Sequence, residues 1–158
     1  MGCAAQPLLT AYHTALISLG WADLSVGDDD SYLLTMPAAL GKEHHPSLIV
    51  DTHLAERSGG DLHGAPKKGY AGRFPKYAGR NVTMSFTDRP DGGENFADLQ
   101  VRMNEFVNED KDRHPGQTLL IFSHNGPIRI AARLFLGLSE SETLARSNLH
   151  CELITFSG

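Results

Sequence analysis

The sequence predicts an α/β fold with a mostly parallel sheet. Short apolar runs, typical of buried strands, occur at 48–50, 119–122 and 151–156, and segments with helical periodicity alternate with them. The chain has 158 residues, of which 41% are hydrophobic and 21% charged, which is enough for one domain with a buried core.

Apolar periodicity predicts helices over residues 8–19, 96–107 and 127–136. Asn95 can cap the second helix, and Gly137 can end the third. Ser139 and the glutamate three residues later form the pattern of a capping box, which predicts a fourth helix. The glycine-rich stretch between residues 56 and 93 is expected to be a long irregular loop, a feature that in compact domains is often functional.

Composition excludes several classes of function. The formal net charge of −5 and the pI of about 5.9 argue against a nucleic-acid partner. No apolar run approaches membrane-spanning length, and no signal-peptide pattern is present. Cys3 and Cys151 cannot build a disulfide framework, so a cytoplasmic location is expected. His44 and His45 are adjacent rather than spaced as zinc ligands, so no metal or other cofactor is expected.

A histidine stands where the predicted strand at 119–122 passes into a helix. Residues 119–129 read L-L-I-F-S-H-N-G-P-I-R, with His124 after the strand and Pro127 in the first helical turn. Ligands of open α/β sheets bind at the carboxyl ends of strands, and the amides of a helix start attract anions. The pattern indicates an anion site at His124. A loop histidine that satisfies a local hydrogen bond is the alternative.

Four segments, in order along the chain, carry a resemblance to a known family. They read Q-P-L-L-T-A-Y-H-T-A at 6–15, L-A-E-R-S-G-G-D-L-H-G at 54–64, G-E-N-F-A-D-L-Q-V-R at 93–102 and S-H-N-G-P-I-R at 123–129. Together they resemble the histidine phosphatase superfamily, which includes the cofactor-dependent phosphoglycerate mutases. The resemblance implies one phosphoglycerate mutase-like domain over residues 1–158, built as a three-layer sandwich with helices on both faces of the sheet.

The chain departs from this family near its start. The family signature is an Arg-His-Gly tripeptide after the first strand, and its histidine is the nucleophile that becomes phosphorylated. No Arg-His-Gly occurs in the 158 residues. The sequence therefore predicts an N-terminally incomplete domain that lacks the family's first strand and is catalytically inactive as written. The alternative is an active phosphomonoesterase or phosphomutase whose nucleophile comes from a missing N-terminal segment, a partner chain or another histidine.

Two catalytic residues follow from the resemblance. Glu56 matches the family glutamate that protonates the leaving alcohol, and His124 matches the histidine that stabilises the phosphoryl group in flight. A surface glutamate paired with Arg57 is the alternative interpretation of Glu56.

Four further residues are predicted to bind substrate. Arg57 matches a residue that contacts acidic substrate groups, and a loop salt bridge is its alternative role. The amides of Asn125 and Gly126 would add hydrogen bonds to the phosphoryl group. Thr10 stands where relatives have a phosphate-binding arginine, so the pocket is expected to be damaged. Arg129 is expected to pack or pair structurally.

The segment Gly64–Thr87 contains five lysines and arginines and no acidic residue. It could steer a phosphorylated ligand towards the site, and its interleaved aromatic residues suit a partner surface; a solvated loop is the alternative. The expected ligand is a phosphorylated small molecule or phosphate, bound weakly. Because loss of a central strand exposes sheet edges, self-association or a protein partner that covers the edge is also expected.

Overall fold

The computed structural model describes residues 23–26, 32–35, 49, 51–65, 70–149 and 153–156. The helix predicted over residues 8–19, including Thr10, lies outside the described residues. So does most of the strand predicted at 48–50, of which only Ile49 is described; Ile49 is exposed and in no strand.

The described strands form one antiparallel hairpin. Strand β1 (Asp23–Val26) pairs with β2 (Tyr32–Thr35) in a register that places Asp23 opposite Thr35 and Val26 opposite Tyr32. A connection of only five residues is too short for the crossover that parallel strands require. The glycine and aspartates at 27–30, between two short apolar stretches, are the sequence signal for this hairpin.

The predicted parallel sheet, and with it the three-layer sandwich, is therefore wrong for the described part of the chain. Residues 119–122 form no strand, and Leu119, Leu120 and Ile121 are 40%, 60% and 46% exposed. Residues 153–156 form no strand either. A strand needs neighbours that complete its hydrogen bonds, and within the described residues β1 and β2 pair only with each other.

Helices dominate the rest of the described chain. A single turn, α1 (Tyr70–Arg73), precedes the long helix α2 (Phe96–Arg113), which is followed by α3 (Asn125–Leu136) and α4 (Glu140–Ala145). Three short 3-10 turns lie at Thr52–Leu54, Gly60–Leu62 and Pro75–Tyr77.

The predicted capping signals are confirmed. The Asn95 side chain accepts a hydrogen bond from the Asp98 amide at 2.8 Å, and the Asp98 carboxylate accepts one from the Asn95 amide at 3.0 Å. Ser139 and Glu142 make the same reciprocal pair at the start of α4. Gly137 ends α3 with a φ of 68°, a left-handed conformation that favours glycine.

The main core lies where α2 packs against α3. Its buried residues come from one face of α2, from α3 and from the loop before α2; they are Phe86, Phe96, Leu99, Met103, Phe106 and Ile130. Leu99 and Ile130 are fully buried. A smaller cluster of Leu62, Tyr77 and Val82 gives the glycine-rich loop a core of its own. This packing fixes the loop that carries Glu56 beside the start of α3.

Candidate functional site

Glu56 lies in a loop that contacts the start of α3. The Glu56 carboxylate accepts a hydrogen bond from the Gly126 amide, with N–O distances of 3.2 Å to Oε1 and 3.4 Å to Oε2. The Arg57 amide donates to the same Oε1 at 2.9 Å. A carboxylate at a helix N-terminus is favourable because the free amides carry partial positive charge. The two segments predicted to carry the chemistry therefore meet.

Gly126 is required by this close approach. A Cβ atom at position 126 would lie 2.3 Å from Glu56 Oε1 and 3.2 Å from Leu99 Cδ2. The first distance is too short for any side chain, so only glycine allows the carboxylate to reach the amide.

His124 is the N-cap residue of α3, but its side chain makes no capping hydrogen bond. Its Nε2 atom is buried and, within the described residues, has no hydrogen-bond partner. A buried polar atom without a partner costs free energy and is often explained by a ligand or an ordered water. His124 thus offers one unused ring nitrogen beside the helix start that Glu56 contacts.

The loop on both sides of Glu56 is fixed by a pair of side chains from the third motif segment. Arg102 contacts Glu94 side-on, with Nε–Oε1 and Nη2–Oε2 distances of 3.2 and 3.0 Å. Arg102 Nη1 also donates to the carbonyl oxygens of His53 and Ala55. Glu94 accepts from the Ser58 amide at 2.8 Å, and the Glu94 amide donates to the Ser58 carbonyl at 3.0 Å.

Another hydrogen bond joins this loop to the chain just before His124. The Ser123 hydroxyl donates to the Leu54 carbonyl at 2.7 Å. No role for Glu94, Arg102 or Ser123 was predicted from the sequence. The segment that contains Glu94 and Arg102 was itself the available signal.

Arg57 faces the interior of its own loop. Its guanidinium group donates to the carbonyl oxygens of Thr83, at 2.6 Å, and of Glu94, and lies 5.2 Å from the centre of the Phe96 ring. Burial lowers the pKa of Arg57, and the nearby charges of Glu56 and Glu94 oppose that shift. Its predicted contact with substrate stays a prediction, and the observed contacts are those of a residue that joins loops.

Asn125 joins the first turn of α3 to the segment after α4. Its Oδ1 atom accepts hydrogen bonds from Arg129 Nε at 3.2 Å and from Asn148 Nδ2 at 2.8 Å. Asn148 Oδ1 in turn accepts from Arg146 Nε at 2.9 Å. Arg129 also donates to the carbonyl of Leu144. These four side chains form one hydrogen-bonded network that begins at the first turn of α3.

The basic loop keeps less free charge than its sequence suggests. Lys76 lies 2.6 Å from both Asp61 and Asp91, and Arg80 pairs with Asp88. These carboxylates raise the pKa of Lys76, with the hydrogen bond to Asp61 the largest cause. The acidic partners come from just outside Gly64–Thr87 or beyond it, which is why the segment looked uniformly positive.

Tyr77 is 7% exposed. Its hydroxyl donates to Asp61 at 2.9 Å and accepts from the Asp91 amide at 2.6 Å. The ring is therefore part of the loop core rather than a surface for stacking.

Within the described ranges, no group of three or more His, Cys, Asp or Glu residues is arranged to hold a metal ion. None of the described helices is both long and apolar enough to cross a membrane.

The geometry defines a site in which a glutamate and a histidine share one helix start. The family model of the histidine phosphatase superfamily (branch 1) matches residues 35–157, which is well over half of the chain. The chain belongs to the histidine phosphatase superfamily. No curated protein matches it.

Proposed function

We propose that this chain binds the phosphoryl group of a small phosphate ester, or inorganic phosphate, at the start of α3. The observation that carries the proposal is the meeting of Glu56 with the Gly126 amide at the helix start that follows His124, whose buried Nε2 atom has no hydrogen-bond partner in the described part of the chain. In this role His124 and the α3 amides bind phosphoryl oxygens, and Glu56 is placed as the acid that protonates a leaving oxygen.

We further propose that the chain, as written, does not turn over phosphate esters. Phosphoryl transfer through histidine needs a nucleophilic imidazole, and the Arg-His-Gly signature is absent from the 158 residues. The second candidate function of the chain is that of an active phosphomonoesterase or phosphomutase, whose nucleophile would come from a preceding segment, a partner chain or another histidine. The two cysteines fit a reducing compartment, so the cytoplasm is the proposed location.

Hydrolysis of an aryl phosphate discriminates between these functions. We expect no turnover above background for the chain as written. Turnover that is lost in both Glu56→Gln and His124→Ala would establish the active enzyme instead. Turnover that survives both substitutions would indicate a contaminating phosphatase.

Phosphate binding tests the proposed site itself. Compared with the family, the pocket lacks two arginines and one histidine. Because each charge-assisted hydrogen bond contributes about 1.5–3 kcal/mol, several decades of affinity are lost. We therefore expect millimolar or weaker binding, observed as NMR shifts of the Gly126 amide during a phosphate titration. His124→Ala should weaken the binding further, and saturable micromolar binding would show that other residues rebuild the pocket.

A further inference from the structure

Two arginines near the start of α3 have no carboxylate partner among the described residues. Arg89, Arg102 and Arg113 each lie 2.6–3.0 Å from a carboxylate oxygen, but neither Arg129 nor Arg146 forms an ion pair with a described carboxylate. Both side chains are half-buried. Two cations that are partly desolvated and not neutralised create a local positive potential that attracts an anion.

The charges of these two arginines act on each other. Burial lowers the pKa of Arg129 most, the charge of Arg146 lowers it further, and the negative charge of Glu56 raises it. Arg129 is thus close enough for the charges of both Arg146 and Glu56 to affect its pKa. An anion bound between the arginines would relieve their repulsion.

Each of the two guanidinium groups is oriented by a hydrogen bond from its Nε atom to an asparagine side chain. Nε of Arg129 donates to Asn125, and Nε of Arg146 donates to Asn148, which itself donates to Asn125. In the described part of the chain, the terminal nitrogens of Arg146 make no hydrogen bond, so its fork of N–H groups is available. Planar guanidinium groups bind phosphate oxygens in pairs, which makes such donors selective for tetrahedral or carboxylate anions.

We propose that Arg129 and Arg146 form the cationic side of an oxyanion site that is continuous with Glu56 and His124, and that its ligand is a phosphate group. The proposal rests on the proposed function. It places the positive charge that attracts the ligand on Arg129 and Arg146, whereas the sequence suggested the basic loop Gly64–Thr87. A phosphate dianion suits the site better than a carboxylate, because two arginines and a helix start together carry more than one positive charge.

The test is a titration with inorganic phosphate at constant ionic strength, followed by NMR of the Gly126 amide. Arg146→Gln is the decisive variant, since within the described residues this side chain hydrogen-bonds only to Asn148 and its loss should leave the fold intact. Arg113→Gln is the matched control, because Arg113 is an exposed arginine paired with Glu109 at the far end of α2. We expect affinity to fall roughly tenfold in Arg146→Gln and less than twofold in Arg113→Gln.

Two further arms sharpen the result. Arg146→Lys keeps the charge without the planar fork and should bind with intermediate affinity. Acetate at the same concentrations should shift the Gly126 amide less than phosphate does; an equal response would replace phosphate by a carboxylate as the ligand.

The outcomes separate this inference from the proposed function. If His124→Ala weakens phosphate binding and Arg146→Gln binds within twofold of the parent chain, the arginine site is overturned and the His124 site stands. If phosphate causes no concentration-dependent shift of the Gly126 amide in the parent chain, both fail. A thermal melt of Arg146→Gln that matches the parent chain shows that lost affinity is not lost folding.

Discussion

The Glu56 carboxylate occupies the N-terminus of α3, 3.2 Å from the Gly126 amide. Glu56 therefore uses an amide that a phosphoryl oxygen would also use at the proposed site. An incoming phosphate must share this amide with Glu56 or displace it, which is one more physical reason to expect weak binding. Because the contact is direct, a substitution at Glu56 or at Gly126 should alter it measurably.

Gly126→Ala should force these two groups apart. The new Cβ would be 2.3 Å from Glu56 Oε1, so the flexible Glu56 side chain must turn away and lose its hydrogen bond to the Gly126 amide, and we expect a loss of about 1 kcal/mol of stability. Denaturant unfolding measures the change in the free energy of unfolding. Gly72→Ala is the control, because a Cβ there meets nothing within 4 Å and alanine favours a helix. Equal stability of the two variants would contradict the close approach.

Removal of Arg102 should loosen the Glu56 loop. Arg102→Gln removes the guanidinium donor from Glu94 and from the carbonyl oxygens of His53 and Ala55, while Glu94 keeps its hydrogen bond from the Ser58 amide. We expect a loss of about 2 kcal/mol in the free energy of unfolding. Arg113→Gln breaks an exposed pair on the same helix and should cost less than about 0.5 kcal/mol.

A double-mutant cycle isolates the contact itself. If Arg102 acts through Glu94, then Arg102→Gln and Glu94→Gln together should cost less than the sum of the two single changes. Additive effects would mean that the two residues act independently. The NMR chemical shift of the Gly126 amide in Arg102→Gln would show whether Glu56 has also moved, which lost stability alone does not reveal.

The parts of this molecule that could be predicted are those specified by local signals. Asn95 and Asp98, or Ser139 and Glu142, form their capping boxes within one turn, so four consecutive residues contain the information. The apolar run at 119–122 contains no comparable signal, because a strand depends on neighbours that the run does not specify.

The residues of the candidate site also fall into two groups, those indicated by local motifs and those indicated only by tertiary contacts. Glu56 and His124 were predicted as site residues because their segments resemble those of the family. The Arg102–Ala55 contact, by contrast, joins positions 47 apart, and Arg146 belongs to no motif. Both became visible only when α2, α3 and α4 were packed together, since tertiary contacts of this kind have no periodic pattern in the sequence.

The capping box of α4 gives a pH-dependent prediction. The hydrogen bond from the Ser139 hydroxyl, at 2.6 Å, and a second from its amide lower the pKa of Glu142 below its ordinary value of 4.5. A lowered carboxyl pKa stabilises the folded state above the ordinary value, and this contribution is lost as the pH falls through the folded-state pKa. The stability difference between the parent chain and Ser139→Ala should therefore shrink below about pH 4. Ser147→Ala, at an exposed serine, should show no such trend in denaturant unfolding.

The exposed apolar run predicts self-association. The sequence predicted self-association through the open edge of a parallel sheet. The described residues contain no parallel sheet. Leu119, Leu120 and Ile121 nevertheless form a contiguous exposed apolar segment directly before the site, and such patches favour contacts between chains. Sedimentation velocity should show concentration-dependent association that Leu120→Lys reduces. Leu136→Lys, at an exposed leucine at the end of α3, should leave it unchanged. A parent chain that stays monomeric at all concentrations, or an equal effect of both lysine variants, would exclude the run as the contact surface.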